Sequence, residues 1–288
     1  MSRQRRLAAA LAAILAAVPA AASAAVPTPN SRHFTTSDGV RLHVLEGGPP
    51  RAPAIAFVPG WSMPAEIWRY QLEALGARYR VAALDPRGQG RSEVPQSGYT
   101  LERRAADVHE FLAAYPRAVL VGWSLGALES LEMVRAHGES GIAGLVIVDS
   151  SVGEPPAPPA GVFKESLRGN RRRALNEFMR AIFKTPRPES EVSALVAGAL
   201  RMRLEDSLAL LSYPVPRAHW RAAAHGVKAP LLYAVTTQFA EQAAHLARNR
   251  PGTETVVFDR AGHALFVDEP ARFNALLEDF AGRTLGAR

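Results

Sequence analysis

The sequence predicts an α/β protein: a mostly parallel, eight-stranded sheet with helices on both faces and an inserted helical cap. Three observations lead there. Short apolar runs alternate with stretches of helical periodicity. A Gly-x-Ser-x-Gly pentapeptide stands where one such run turns into a helix. A proline-rich connector then introduces a long helical region without strands. Strands separated by helices need crossover connections, which are right-handed and cover a parallel sheet on both sides.

Residues 1–24 stand apart from this pattern. Arg3, Arg5 and Arg6 precede an Ala/Leu/Ile run over 7–18, followed by Pro19 and the small triplet Ala22-Ser23-Ala24. A basic start, a short apolar stretch and small residues at its end make a secretory signal cleaved after Ala24. The run is too short to span a bilayer and no later stretch is long enough, so the chain is expected to be exported, periplasmic or secreted, with no membrane span left after cleavage. The 288 residues include no cysteine, which removes disulfides, a thiol nucleophile and cysteine metal ligands from consideration. Of the formal charge of +7, three belong to the leader arginines, leaving +4. No basic-aromatic stripe accompanies that charge, so nucleic acid is not an expected partner. Nothing in the sequence fixes an oligomeric state.

In chain order, residues 32–36 and 40–45 flank Ser37-Asp38-Gly39 and predict a hairpin. Residues 54–58 are a continuous apolar strand ending in Pro59-Gly60-Trp61. A helix comes next over 65–75, where Ile67, Trp68, Leu72 and Leu75 share a face. The strand 80–84 closes on Asp85-Pro86-Arg87-Gly88-Gln89-Gly90-Arg91-Ser92, and 101–114 reads as a helix. The run 119–122 and the helix 125–137 flank Ser124, and the strand 144–148 ends on Asp149. Gly153-Glu154-Pro155-Pro156-Ala157-Pro158-Pro159 is a stiff connector. Beyond it lie two helical stretches, over about 163–183 and 191–211. In the first, Leu167, Ala174, Leu175, Phe178, Met179, Ile182 and Phe183 form an apolar face, and Arg168, Arg171, Arg172, Arg173, Arg180 and Lys184 a solvated one. Alternation resumes with the strand 231–235, a helix over 239–248, the strand 255–258 and a closing helix over 272–280. The alternation of strands and helices thus runs through 25–152 and 228–288 and is interrupted by the helical region 153–227.

The chemistry centres on Ser124. A sharp strand-to-helix turn puts its central residue in a strained backbone conformation and demands residues without bulk two places away, here Gly122 and Gly126. The turn lifts the hydroxyl off the sheet and aims the first helical N–H groups at whatever it attacks. A serine hydroxyl needs a base within reach. His263, after the last strand, is the candidate. His219, His225 and His245 fall in cap or helix contexts and read as surface residues. The carboxylate that would orient the imidazole is either Asp149 or Glu241, because residues 231–239 contain no acid.

Four segments in this order resemble the α/β-hydrolase superfamily: Pro59-Gly60-Trp61, the loop from Asp85 to Ser92, the Ser124 elbow, and Gly262-His263 before a closing helix. The resemblance spans nearly the whole mature chain and is nearest to capped esterase, perhydrolase and dehalogenase-like members. It implies that 153–227 is the cap inserted after the sixth strand. It also implies that Asp149, directly after that strand as in the dehalogenase-like members, is the acid, although the commoner layout puts it after the seventh. The backbone N–H groups of Trp61 and Leu125 are implied as the oxyanion donors. Family members often carry His where Pro59 stands.

The sequence thus leads to an expected exported serine hydrolase that needs no cofactor or metal. Ser124 would attack a small or medium carboxylic ester or lactone, and His263 would carry the proton. Acyl-homoserine lactone hydrolysis and cofactor-free perhydrolysis use the same frame. A serine in place of a carboxylate nucleophile argues against carbon–halogen cleavage, and no zinc-hydrolase or phosphate-loop motif occurs. The rival from another class is a non-catalytic small-molecule binder on a hydrolase frame, favoured by the missing acid after the seventh strand. Trp61, Met63, Trp123 and Phe266 are either an acyl pocket or plain core. Asp85 and Arg87 are expected to form a structural ion pair holding their loop.

Overall fold

Residues of the inner strands alternate between two apolar layers, so the middle of the sheet is buried on both faces. Ile55 and Phe57 of β3 (Ala54–Val58) join one layer with Val119 and Val121 of β5 (Ala118–Trp123), while Ala54, Ala56, Val58, Ala118 and Leu120 join the other. Burying one such side chain contributes about 1.5–3 kcal/mol, which explains runs with almost no polar residue. The computed structural model describes residues 29–159 and 161–286; the expected leader lies outside them.

The remaining strands are β1 (Asn30–Thr35), β2 (Arg41–Gly47), β4 (Arg80–Asp85), β6 (Ile142–Val148), β7 (Leu231–Thr236) and β8 (Thr253–Phe258). They form one eight-stranded sheet in the order β1-β2-β4-β3-β5-β6-β7-β8. Only the hairpin β1–β2 and the pair β2–β4 are antiparallel, and the other pairs are parallel. The order jumps from β4 back to β3 and then to β5, so the ends of β3 and β5 open a crevice at the strands' carboxyl edge.

Helices α1 (Arg69–Leu75) and α11 (Pro270–Leu285) cover one face. The other carries α2 (Leu101–Leu112), α3 (Leu125–His137), α8 (Arg217–Gly226) and α9 (Ala240–Asn249). Pro270 begins α11, where its missing N–H costs nothing. A short helix α10 (Leu265–Asp268) precedes it. Between α2 and α3 lies a fully buried pair, with Arg104 donating to Glu129 through two bonds of 2.8 and 3.0 Å. Among the described residues no helix is long and apolar enough to cross a membrane.

The helical insertion differs from expectation in three ways. The stretch 163–183 is two helices, α4 (Phe163–Gly169) and α5 (Arg171–Ala181), because the Asn170 side chain accepts the Arg173 N–H at 3.0 Å and starts a new helix. The second stretch is α6 (Glu189–Ala199) and α7 (Leu204–Leu210), and α8, which lies inside 153–227, packs on α3 and α9. Arg171 also leaves the solvated face. Its guanidinium donates to the carbonyls of Ala199 (3.0 Å) and Met202 (2.9 Å) and to the Ser207 hydroxyl (2.8 Å). The negative end of α6 substitutes for a carboxylate there, and burial pulls the Arg171 pKa below its usual value.

Candidate active site

Three strand ends assemble the site. Ser124 follows β5 at φ 54°, in the left-handed region that a side chain adopts only when its surroundings hold it there. A Cβ on Gly126 would lie 2.4 Å from the Val58 carbonyl oxygen, and one on Gly122 would lie 2.5 Å from that of Gly126. Neither position has room for a side chain, as the spacing predicted. Helix α3 begins at Leu125, so the Leu125 N–H is one of the first helical donors, which have no acceptor within the helix.

His263 lies in the loop after β8. Its Nδ1–H donates to Asp149 Oδ2 at 2.8 Å, which leaves Nε2 as acceptor for the Ser124 hydroxyl at 2.9 Å. The imidazole is 26 % exposed and the carboxylate is fully buried. The Trp123 indole N–H donates to the His263 carbonyl at 2.8 Å, and the Ala264 N–H donates to Ile182 of the insertion at 2.9 Å. Both contacts fix the loop from behind.

Asp149 follows β6 with φ 42°. Its Oδ1 accepts the backbone N–H of Thr236 at 2.6 Å and the Thr236 hydroxyl at 2.9 Å. Thr236 ends β7, the strand where the commoner layout carries the acid. The neighbouring strand thus supplies two donors to a carboxylate held on β6. Sequence reasoning missed Thr236, and the absence of an acid between 231 and 239 was the available signal. Glu241 is exposed in the first turn of α9, and Asp149 is the carboxylate that meets the imidazole.

The other candidates sort themselves by packing. Gly60 lies against the elbow, since a Cβ there would stand 3.1 Å from Ser124 Cβ, and this brings the Trp61 backbone beside the serine. Met63, Trp123 and Phe266 are buried core residues, with the Phe266 ring 3.9 Å from Trp68 and 5.1 Å from Trp123. His219 and His225, expected at the surface, are part-buried and meet the buried carboxylates of Glu132 (2.8 Å) and Glu154 (2.5 Å).

The expected Asp85–Arg87 pair does not form. Arg87 spans Asp107 (2.6 Å) on α2 and Asp38 (3.0 Å) in the hairpin turn. Asp85 instead accepts the N–H groups of Ala65 (2.5 Å) and Arg91 (2.8 Å) and meets His43 Nδ1 at 2.7 Å. His43 Nε2 is in turn 2.5 Å from Ser31 Oγ. A second Ser–His–Asp chain therefore exists in the molecule, assembled across β1, β2 and β4, and no local motif announces it.

A family model described as the alpha/beta hydrolase family matches residues 55–276. The chain belongs to that family. This α/β hydrolase is 28 % identical over 264 residues to a pimeloyl-[acyl-carrier protein] methyl ester esterase of Aeromonas hydrophila, covering 81 % of this chain and 96 % of the relative. Its fold matches a putative aryl esterase from Burkholderia cenocepacia with a TM-score of 0.80 and 27 % identity, over 89 % of this chain and 100 % of the other. An esterase, RhEst1, from Rhodococcus sp. matches with a TM-score of 0.75 and 26 % identity, over 88 % and 99 %.

Proposed function

We propose that this α/β hydrolase is a serine-dependent carboxylic ester hydrolase acting on small or medium esters or lactones. The observation that carries the reading is the unbroken chain Ser124 Oγ, His263, Asp149, with contacts of 2.9 and 2.8 Å. Its similarity to proteins named as esterases supports the same chemistry.

In the reaction His263 Nε2 takes the hydroxyl proton as Ser124 Oγ attacks the carbonyl carbon. Asp149 holds the imidazole in the required tautomer and offsets the positive charge that forms on it. The carbonyl electrons move onto the oxygen, which is met by the N–H groups of Trp61 and Leu125; such donors act without reorganising. Collapse expels the alkoxide, which takes its proton from Nε2. Water, deprotonated by the same imidazole, then releases the acyl group. The missing acid after β7, which favoured a non-catalytic binder, loses its weight once Asp149 and Thr236 together fill that role. The basic, apolar leader is proposed to direct the enzyme out of the cytoplasm, leaving Ala25 as its first residue.

A panel of p-nitrophenyl esters of rising acyl length tests this reading. Wild-type protein should turn over the short members, and Ser124→Ala should abolish that turnover. A folded wild-type protein that hydrolyses none of them, and that a fluorophosphonate does not label, would overturn the assignment.

A further inference from the structure

Trp61 belongs to two parts of the molecule at once. Its backbone lies in the turn packed on the elbow, where a Cβ on the preceding Gly60 would stand 3.1 Å from Ser124 Cβ and 3.2 Å from the Trp123 ring. The next residue, Ser62, sits at φ 59°, so the turn has little freedom to relax on that side. The side chain points the other way, into the helical insertion.

Three helices grip the indole. Its ring meets Phe163 of α4 and Phe178 of α5 edge-on, each 5.5 Å away, and those two phenyl rings stack at 4.9 Å. Its N–H donates to the Ser207 carbonyl of α7 at 2.8 Å. That carbonyl belongs to the last turn of a helix ending at Leu210, and the Leu211 N–H bonds to Leu208 instead. Trp61 therefore satisfies an acceptor that the helix itself leaves open.

Ser207 is fixed in turn. Its hydroxyl donates to the Arg203 carbonyl at 3.0 Å and accepts from Arg171 at 2.8 Å, and Arg171 ties the same point to the end of α6. The path runs from a half-buried guanidinium through one helix end to one indole, and from that indole to the backbone beside the nucleophile.

We infer that Trp61 is the positioning residue through which the insertion sets the oxyanion site: the Ser207–indole bond holds the turn so that the residue 61 N–H faces the developing negative charge. This rests on the proposed serine mechanism. The insertion thereby acts on transition-state stabilisation, in addition to any part it plays in enclosing substrate. A donor that is lost outright costs about 10²–10³ in kcat, so a misaimed one should cost about tenfold or somewhat more.

Trp61→Phe removes the N–H and keeps an aromatic ring against Phe163 and Phe178. Its kcat should fall about tenfold, with KM changed less than about threefold and the acidic limb of the pH–rate profile unmoved. Phosphonylation of Ser124 should slow in parallel. Arg171→Met, distant from the turn, should lower kcat several-fold in the same sense, and Arg171→Lys should restore part of it. A Trp61→Phe enzyme with kcat within about twofold of wild type, or with the loss confined to KM, overturns the inference and leaves the serine mechanism standing. If that variant fails to fold, an unchanged kcat in Arg171→Met has the same force. A wild-type protein without Ser124-dependent turnover overturns both.

Discussion

Two Ser–His–Asp chains lie in this molecule, and their bond lengths do not separate them. Ser124, His263 and Asp149 are joined by contacts of 2.9 and 2.8 Å, and Ser31, His43 and Asp85 by contacts of 2.5 and 2.7 Å. Their surroundings differ. Ser124 is strained at the start of α3, beside the Gly60 turn. Ser31 is exposed on the edge strand β1, and its approaching donor is the flexible Arg91 guanidinium, 3.2 Å away. The His263 side chain is 26 % exposed, and that of His43 is 1 % exposed. An imidazole sealed in the core can hold a proton between two partners but cannot pass one to a leaving group. On the proposed mechanism, a hydroxyl, an imidazole and a carboxylate in series are not sufficient, and pre-aimed N–H groups and access make the difference.

The sharpest way to break that comparison is to treat the two serines alike. Ser124→Ala should lower ester turnover by about 10⁴ or more and remove fluorophosphonate labelling, whereas Ser31→Ala should leave kcat within about twofold. Peptide mapping of labelled protein should find the adduct on Ser124. An adduct on Ser31 in folded protein would show that the hydrogen-bonded series alone confers reactivity.

The two carboxylates give the next largest contrast. Asp149→Asn should cut kcat by about 10³–10⁴, because an amide facing Nδ1 favours the wrong tautomer. Asp85→Asn should leave kcat within about threefold and lower stability by about 2 kcal/mol, since its amide would oppose backbone donors now satisfied by oxygen. Steady-state kinetics and urea midpoints on the same preparations read both, and Glu241→Gln should move neither.

The smallest effect concerns what holds the hairpin side together. The Arg87 guanidinium bonded to Asp38 holds that carboxyl at about 2, below its ordinary value of 3.8. Between those values the folded state keeps the charge while the unfolded chain takes up a proton. The contribution is thus complete above about pH 4 and is lost as the pH falls toward 2. Asp38 is 36 % exposed, so after allowance for solvent screening Asp38→Asn should cost about 1 kcal/mol near neutral pH. Urea unfolding near pH 7 and near pH 2 should show that difference and then its disappearance.

The elbow was fully legible in the sequence, because strand, turn and helix are local and each states its requirement in a few residues. Helix α3 occupies the expected 125–137. The pairing of Asp149 with His263 was legible only in part: the stretch after the seventh strand holds no acid, which left Asp149 and Glu241 open, and the resemblance to the dehalogenase-like layout favoured Asp149. Contacts between distant segments were not. Ser31 meets His43 only because β1 and β2 pair in one register, and Arg87 reaches past Asp85 to α2 and the hairpin turn. The division at Asn170 was hidden by an apolar face that continues through it, which one side-chain cap was enough to interrupt. Arg171 looked solvated because helical periodicity reports a face and says nothing of a carbonyl cluster waiting beside it.

The support that Thr236 gives to Asp149 limits where the acid could migrate as such a chain diverges. One oxygen of the carboxylate is occupied by two donors from a single residue of the adjacent strand. Moving the acid to that strand would put a second negative group where a hydroxyl now stands and leave the vacated position without a ligand for His263. Descendants that relocate it must therefore change both strand ends together or pass through a form with a misoriented imidazole. The threonine makes the present arrangement hard to leave by single steps.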